Sequence, residues 1–123
     1  MKHALFFSIL LALSSVAGSD QSQHGIWKDA QVTSVVAYAD GGSSGKGYVV
    51  VTFAANGTGS PHCAAGYPRS VAIDLSTAGG GFTAAIVQAA VLTGASMTVL
   101  GSGSCSVIPT VETVASVEET SRH

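Results

Sequence analysis

Charged side chains are scarce in this sequence of 123 residues, and basic ones are scarcer than acidic ones. Only 10% of the residues are Asp, Glu, Lys or Arg, and five basic side chains face seven acidic ones, which gives a formal net charge of −2. Nucleic acids and anionic membrane surfaces attract proteins through clustered Lys and Arg side chains, and no such cluster occurs in the chain. The composition therefore argues against nucleic acid and an anionic membrane as partners.

Long apolar segments are lacking as well, since no stretch approaches the roughly 20 residues that a membrane-spanning helix needs. Residues 4–13 form a short apolar run, which follows the basic start Met1-Lys2-His3 and precedes the small residues 14–19. This order is typical of a secretory signal peptide. We therefore expect residues 1–17 to be a signal peptide, cleaved after Ala17 or Gly18. The mature chain would then be secreted or periplasmic and would have no membrane span.

Cysteine occurs only twice, at Cys63 and Cys105, and neither C-x-x-C nor H-x-x-x-H spacing is present. An even number of cysteines in an exported chain indicates disulfide pairing. One alternative makes Cys63 a thiol nucleophile with the adjacent His62 as its base, and another makes the cysteines metal ligands. Adjacent side chains in an extended chain point apart, and a metal site needs three or four ligands. We therefore predict a Cys63–Cys105 disulfide, with no metal, cofactor or catalytic residue.

The apolar pattern predicts five strands and one helix. The strands are expected over residues 32–39, 48–54, 69–75, 97–100 and 110–119, which are rich in β-branched side chains. The helix is expected over residues 78–93, after an N-cap at Ser76 or Thr77 and before a stop at Gly94. Alternation in the second strand predicts that one face carries Val49, Val51 and Phe53, and the other Tyr48, Val50 and Thr52. In the third strand Val71, Ile73 and Leu75 are expected to face inward, and Ser70, Ala72 and Asp74 outward.

The resulting order, β-β-β-α-β-β, indicates an α+β domain. It is the element order of the OB-fold, a five-stranded Greek-key barrel with one helix between strands three and four. We assign residues 26–119 to this single domain, residues 18–25 to a flexible lead-in and residues 120–123 to a loose tail. The loop "DGGSSGKG" over residues 40–47 lacks the spacing and the following helix of a phosphate-binding loop, and is predicted to be a hairpin loop.

The predicted helix is apolar nearly all round, and Gln88 is the only long polar side chain in its body. A helix of this kind is buried on several sides, or partly against another chain. We expect the face of Phe82, Ile86 and Ala89 to plug the barrel. Val87 and Val91 would then lie exposed on the opposite face. Burial of that face in a second copy would make the protein a homo-oligomer.

A leader peptide, this element order and one disulfide together resemble the binding subunits of pentameric bacterial toxins of the subtilase-cytotoxin type. The segment from Cys63 to Cys105, with its Asp-x-Ser-Thr strand end, Gly-led apolar helix and Gly-x-Gly-x-Cys, is also similar to a group of small exported bacterial proteins. The second resemblance implies no activity. The first implies a non-enzymatic subunit that binds cell-surface glycans. No sugar-contacting motif of those subunits matches residues here, so none is transferred.

The sequence thus favours a small exported binding protein without catalytic activity, whose partner would be a cell-surface glycan. The candidate ligand contacts are Trp27, Tyr38, Tyr48, His62, Tyr67 and Arg69. An alternative is a periplasmic or envelope accessory protein that binds another protein. A small hydrolase is a third hypothesis, but the chain contains neither a G-x-S-x-G nor an H-E-x-x-H motif.

Overall fold

The computed structural model describes residues 23–121, which form six β-strands and one α-helix. In chain order these are β1 (Ile26–Ala30), β2 (Val32–Tyr38), β3 (Tyr48–Phe53), β4 (Ser70–Asp74), α1 (Ala78–Thr93), β5 (Ser96–Gly101) and β6 (Glu112–Ser121). The α+β class is confirmed, but the number of strands is six and not five. β6 also extends two residues into the predicted loose tail. The predicted signal peptide, most of the lead-in and the last two residues lie outside the described residues.

The strands form one sheet in the order β1-β5-β6-β4-β3-β2. All neighbouring pairs are antiparallel except β4 and β6, which run parallel. β1 and β2 stand at opposite ends of this order although only Gln31 separates them in the chain. Close to this point Asp29 has a φ of 47°, and the pairing register shifts within both strands.

The sequence did not indicate β1, because this strand shows no apolar alternation. Of its five residues only Trp27 is buried, and the next two are the polar Lys28 and Asp29. Its pairing with β5 is interrupted by a bulge between Trp27 and Ala30, which a regular strand pattern does not foretell.

The main core lies between the inner face of the sheet and α1. The alternation predicted for β3 is confirmed, because Val49, Val51 and Phe53 are all buried in this core. Trp27 lies in the same core and is only 2% exposed, with its ring centroid 5.3 Å from that of Phe53. Only a small part of the Trp27 side chain is therefore open to a ligand, in a hollow that it lines together with Ala55 and Asn56.

A second, smaller cluster covers part of the outer face of the sheet. Ala72 of β4 was expected to face solvent, yet it is fully buried. The segment between β5 and β6 folds over this face, where Val107 and Val111 pack with Ala72 and against Tyr48 and Ile108. Alternation gives the side of a strand correctly, but it does not reveal that a loop covers that side.

The ends of α1 agree with the prediction from the sequence. The Thr77 side chain accepts a hydrogen bond from the N–H of Gly80 at 2.9 Å, as an N-cap residue does. Gly94 has a φ of 72° at the other end, and its N–H donates to the carbonyls of Ala90 and Val91. Glycine tolerates this left-handed conformation without a steric cost, so the helix ends where predicted. Within residues 23–121 no helix is long and apolar enough to cross a membrane.

The orientation of α1 differs from the expected one. Val87, predicted to be exposed, is 1% exposed and lies in the core, whereas Phe82 and Ile86 are 74% and 40% exposed. Ala89 is exposed on their side of the helix. Val91 is 41% exposed, as expected. The prediction for these faces was wrong because a helix with apolar residues all round has no polar side to mark the solvent face.

Candidate functional site

A shallow groove of about 330 Å³ runs across the outer face of the sheet, beside the segment between β5 and β6. We call it the tyrosine groove. Its lining consists of ten residues from β2, β3, the β3–β4 connection, β4 and the β5–β6 segment: Val36, Tyr38, Tyr48, Val50, Thr52, Tyr67, Ser70, Ile108, Thr110 and Val111.

Strand alternation brings the β2 and β3 residues of the groove to one face. Tyr38 is in register with Tyr48, and Val36 is in register with Val50. Thr52 follows two residues after Val50, so its side chain projects on the same side. The outward set that the sequence predicted for β3 therefore forms the floor of the groove.

The rings of Tyr38 and Tyr48 stack across the two strands, with centroids 4.8 Å apart and planes inclined by 18°. Tyr48 is half-buried against the small outer cluster. The β2–β3 loop closes on its edge, because a Cβ on Gly42 would lie 3.0 Å from the Tyr48 Cδ1 atom. Tyr38 is 45% exposed. The fixed Tyr48 ring thus supports Tyr38, which offers solvent a flat aromatic surface of defined orientation.

Tyr67 contributes a second exposed ring, which is 53% exposed. It follows a single 3-10 turn over His62–Ala64. The Tyr67 N–H donates to the carbonyl of Ala64 at 3.0 Å, and its own carbonyl accepts from Ser70 N–H at 3.2 Å. These two bonds hold the backbone of Tyr67 to the turn before it and to β4 after it.

The predicted disulfide between Cys63 and Cys105 is confirmed, with a Cα–Cα distance of 6.2 Å. Cys63 lies in the turn that precedes Tyr67, and Cys105 lies shortly before Ile108 in the β5–β6 segment. The disulfide therefore joins the β3–β4 connection, which carries Tyr67, to the β5–β6 segment, which carries Ile108 and Thr110. A further bond from the Ser43 N–H to the Val107 carbonyl, at 2.9 Å, fastens the β2–β3 loop to the same segment.

Hydroxyl groups supply the polar part of the groove. The Thr52 and Ser70 hydroxyl oxygens are 3.1 Å apart and share one hydrogen bond. Thr110 adds a third hydroxyl from the β5–β6 segment. Each hydroxyl is both donor and acceptor. Thr110 is exposed and Thr52 is half-buried, whereas Ser70 is only 7% exposed and acts mainly through its bond to Thr52. The lining contains no Asp, Glu, Lys, Arg or His.

The remaining predicted contacts lie outside the groove lining. Arg69 is exposed, and its Nε donates to the side-chain oxygen of Asn56 at 3.2 Å. His62 is exposed in the 3-10 turn. The structure therefore brings Tyr38, Tyr48 and Tyr67 together and leaves His62 and Arg69 apart from them. Among residues 23–121 there is no group of three or more His, Cys, Asp or Glu that could hold a metal ion.

Sequence reasoning missed several lining residues, and their signals differ. Alternation places Thr52 and Ser70 on the outward faces of their strands, and this signal is sufficient to locate them on the face of the groove. The sequence analysis did not identify them as ligand contacts. Ile108, Thr110 and Val111 carry no such signal, because their position depends on how the β5–β6 segment folds over the sheet.

Glu112 is a further residue that the sequence analysis overlooked, and it lies outside the groove lining. Its side chain is fully buried. The carboxylate accepts hydrogen bonds from the N–H of Gly25 at 3.0 Å and from the N–H of Gly103 at 2.9 Å. A Cβ on Gly101 would overlap the same carboxylate, so only glycine fits there. Glu112 thus ties the start of β1 to the β5–β6 segment that walls the groove.

The outer face of α1 forms a separate apolar surface. Phe82, Ile86 and Leu92 are 74%, 40% and 77% exposed and project on the solvent side of the helix. Exposed large apolar side chains are unremarkable singly, but three on the solvent side of one helix form an apolar patch. This patch lies on the helix, whereas the tyrosine groove lies on the outer face of the sheet, so the two surfaces are formed by different elements.

Comparisons with protein-family models, with curated proteins and with solved structures give no match to this chain.

Proposed function

We propose that the sheet is a barrel of the OB type, in which β1 and β2 are two halves of one bent strand. Support comes from the single residue between them and from the bulges on both sides of it. Counted in this way, the chain has three meandering antiparallel strands, a helix and two further strands. The third strand pairs with the last in parallel, and the fourth pairs with the first. These are the connections of a five-stranded Greek-key barrel.

We infer that the protein is an exported binding protein without catalytic activity, and that the tyrosine groove binds a glycan. The observation that carries this inference is the stacked pair of Tyr38 and Tyr48 beside the exposed Tyr67 and three hydroxyl groups. Saccharide rings combine an apolar C–H surface with a rim of hydroxyls, so an aromatic platform with neutral hydrogen-bonding groups suits them. OB-folds use the corresponding strand face and loops to bind oligosaccharides and oligonucleotides.

A glycan array probed with the oxidised mature protein tests this proposal. We expect a defined set of glycans to be retained, and the Tyr67→Ala variant to lose at least tenfold in affinity. His62→Ala, which removes an exposed ring that lies outside the groove lining, serves as the matched control and retains the wild-type affinity. If the wild-type protein retains no glycan, or if His62→Ala loses binding and Tyr67→Ala does not, the proposal is wrong.

We further propose that the protein forms a homo-oligomer through the apolar patch of α1, at Phe82, Ile86 and Leu92. Covering each large side chain would stabilise the assembly by roughly 1.5–3 kcal/mol.

Leu92→Asp is expected to give a folded monomer, because this side chain is 77% exposed within one chain. Val87→Asp is expected to unfold the protein, because the charge would lie in the core. Light scattering together with circular dichroism distinguishes the two outcomes, and a wild-type chain that remains monomeric at high concentration refutes the oligomer.

A further inference from the structure

The charge distribution around the tyrosine groove indicates what kind of glycan it accepts, given the proposed function. None of the ten lining residues is Asp, Glu, Lys, Arg or His. Arg69, the basic residue next to Ser70 in the chain, directs its guanidinium to Asn56 and does not line the groove. No cationic side chain among the lining residues is therefore available to pair with an anionic ligand.

The strand face that carries the groove also carries a negative charge. Asp74 of β4 lies in register with Tyr48. The backbone N–H of Ser76, 2.9 Å from the Asp74 carboxylate, lowers the pKa of this group, and the Ser44 hydroxyl contributes in the same direction. Asp74 therefore remains a carboxylate throughout the neutral range, and it supplies no attraction for an anionic ligand on this face.

The aromatic and hydroxyl groups of the groove also favour an uncharged ligand over an anionic one. The face of an aromatic ring carries negative electrostatic potential, so it attracts C–H groups and cations but not carboxylates or sulfates. Removing an anionic group from water without a cationic partner costs more than any neutral hydrogen bond to Thr52, Ser70 or Thr110 returns. A neutral sugar hydroxyl meets no such cost.

We propose that the tyrosine groove is selective for uncharged saccharides and discriminates against the same saccharides when they carry a carboxylate or sulfate group. This inference rests on the proposed glycan-binding function and specifies the chemical class of its ligand. The neutral sugar ring stacks on Tyr38 or Tyr67, and its hydroxyls exchange hydrogen bonds with the Thr52–Ser70 pair and with Thr110.

The test uses an array of paired glycans, in which each neutral oligosaccharide is presented beside its own sialylated and sulfated forms. For wild-type protein we expect each bound neutral member to bind at least tenfold more tightly than its anionic forms. Thr110→Lys places a cation on the exposed rim of the groove, and we expect it to shift this ratio at least tenfold toward the anionic forms. Ala55→Lys adds the same charge at an exposed position that lines a different hollow, and we expect no shift.

Each contrary result has a separate meaning. Wild-type protein that binds the anionic forms as tightly as the neutral ones, or more tightly, overturns the selectivity and leaves the glycan-binding function in place. An equal shift in Thr110→Lys and Ala55→Lys overturns the assignment to the groove. If no glycan of either kind binds, both the inference and the proposed function are wrong.

Discussion

Replacing the three consecutive glycines at the start of α1 one at a time by alanine is expected to change stability in opposite directions. Gly79 and Gly81 have open space where a Cβ would project. A Cβ on Gly80 would overlap the backbone oxygen of Asp74, and it would lie only 2.9 Å from the Thr77 hydroxyl oxygen that caps the helix. The middle glycine is thus required by the close approach of the helix to the end of β4.

The magnitudes follow from these contacts. Alanine is more favourable than glycine within a helix by up to about 1 kcal/mol, so Gly79→Ala and Gly81→Ala are each expected to raise the free energy of unfolding by about 0.5–1 kcal/mol. Forcing an extra methyl group into a filled space costs about 1–3 kcal/mol, and loss of the Thr77 cap costs about 1 kcal/mol more. When the gain of up to about 1 kcal/mol from the helix propensity of alanine is subtracted, Gly80→Ala is expected to lower the free energy of unfolding by about 1–3 kcal/mol.

Urea unfolding of the oxidised protein measures these changes. Trp27 is buried in the core, so its fluorescence reports the loss of tertiary structure. The two outer variants serve as controls for each other and for any general effect of alanine in the first turn. If all three variants change stability by the same amount and in the same direction, the close approach of Gly80 to Asp74 has no energetic role and the packing described for α1 is wrong.

Three further predictions concern other contacts. Gly101→Ala is expected to lower the free energy of unfolding by about 2–4 kcal/mol, because its Cβ would displace the buried Glu112 carboxylate and unpair the backbone N–H groups bound to it. Gly66→Ala has open space around the added methyl group and is expected to leave stability unchanged. Thermal unfolding measures both changes. Cys63→Ser is expected to lower the free energy of unfolding by about 2–5 kcal/mol, and reduction of the wild-type protein is expected to act alike in denaturant titration. Asp74 has a lowered pKa in the folded protein, so its contribution to stability is present above the pKa of the unfolded chain and is lost as the pH falls through the folded value. Asp74→Asn is therefore expected to flatten the pH dependence of the free energy of unfolding below pH 3.8, the ordinary pKa of an Asp side chain. An unchanged pH profile would contradict this.

The regular part of the fold could be predicted from the sequence because its signals are local. Alternation in β3 and β4 and the caps of α1 at Thr77 and Gly94 depend on residues close in the chain. The pairing of Cys63 with Cys105 was predictable because only two cysteines are present.

The remaining features depend on contacts between distant parts of the chain. Whether Val87 or Phe82 faces the core is undetermined in a helix that is apolar on all sides. The bulged β1 has no alternation to reveal it. The walls of the tyrosine groove come from a loop that folds over the outer face of the sheet, and the buried Glu112 is stabilised by N–H groups from segments that only the fold brings to it.

The groove itself is tested most directly by mapping where a bound glycan perturbs the protein. Backbone and tyrosine-ring NMR signals are followed while a neutral oligosaccharide retained on the array is titrated into the oxidised protein. We predict shifts confined to the tyrosine groove, at Tyr38, Val50, Thr52, Tyr67 and Thr110, with the signals of α1 unchanged. Shifts centred on the outer face of α1, or in the hollow lined by Trp27, Ala55 and Asn56, with none in the groove, would contradict the account.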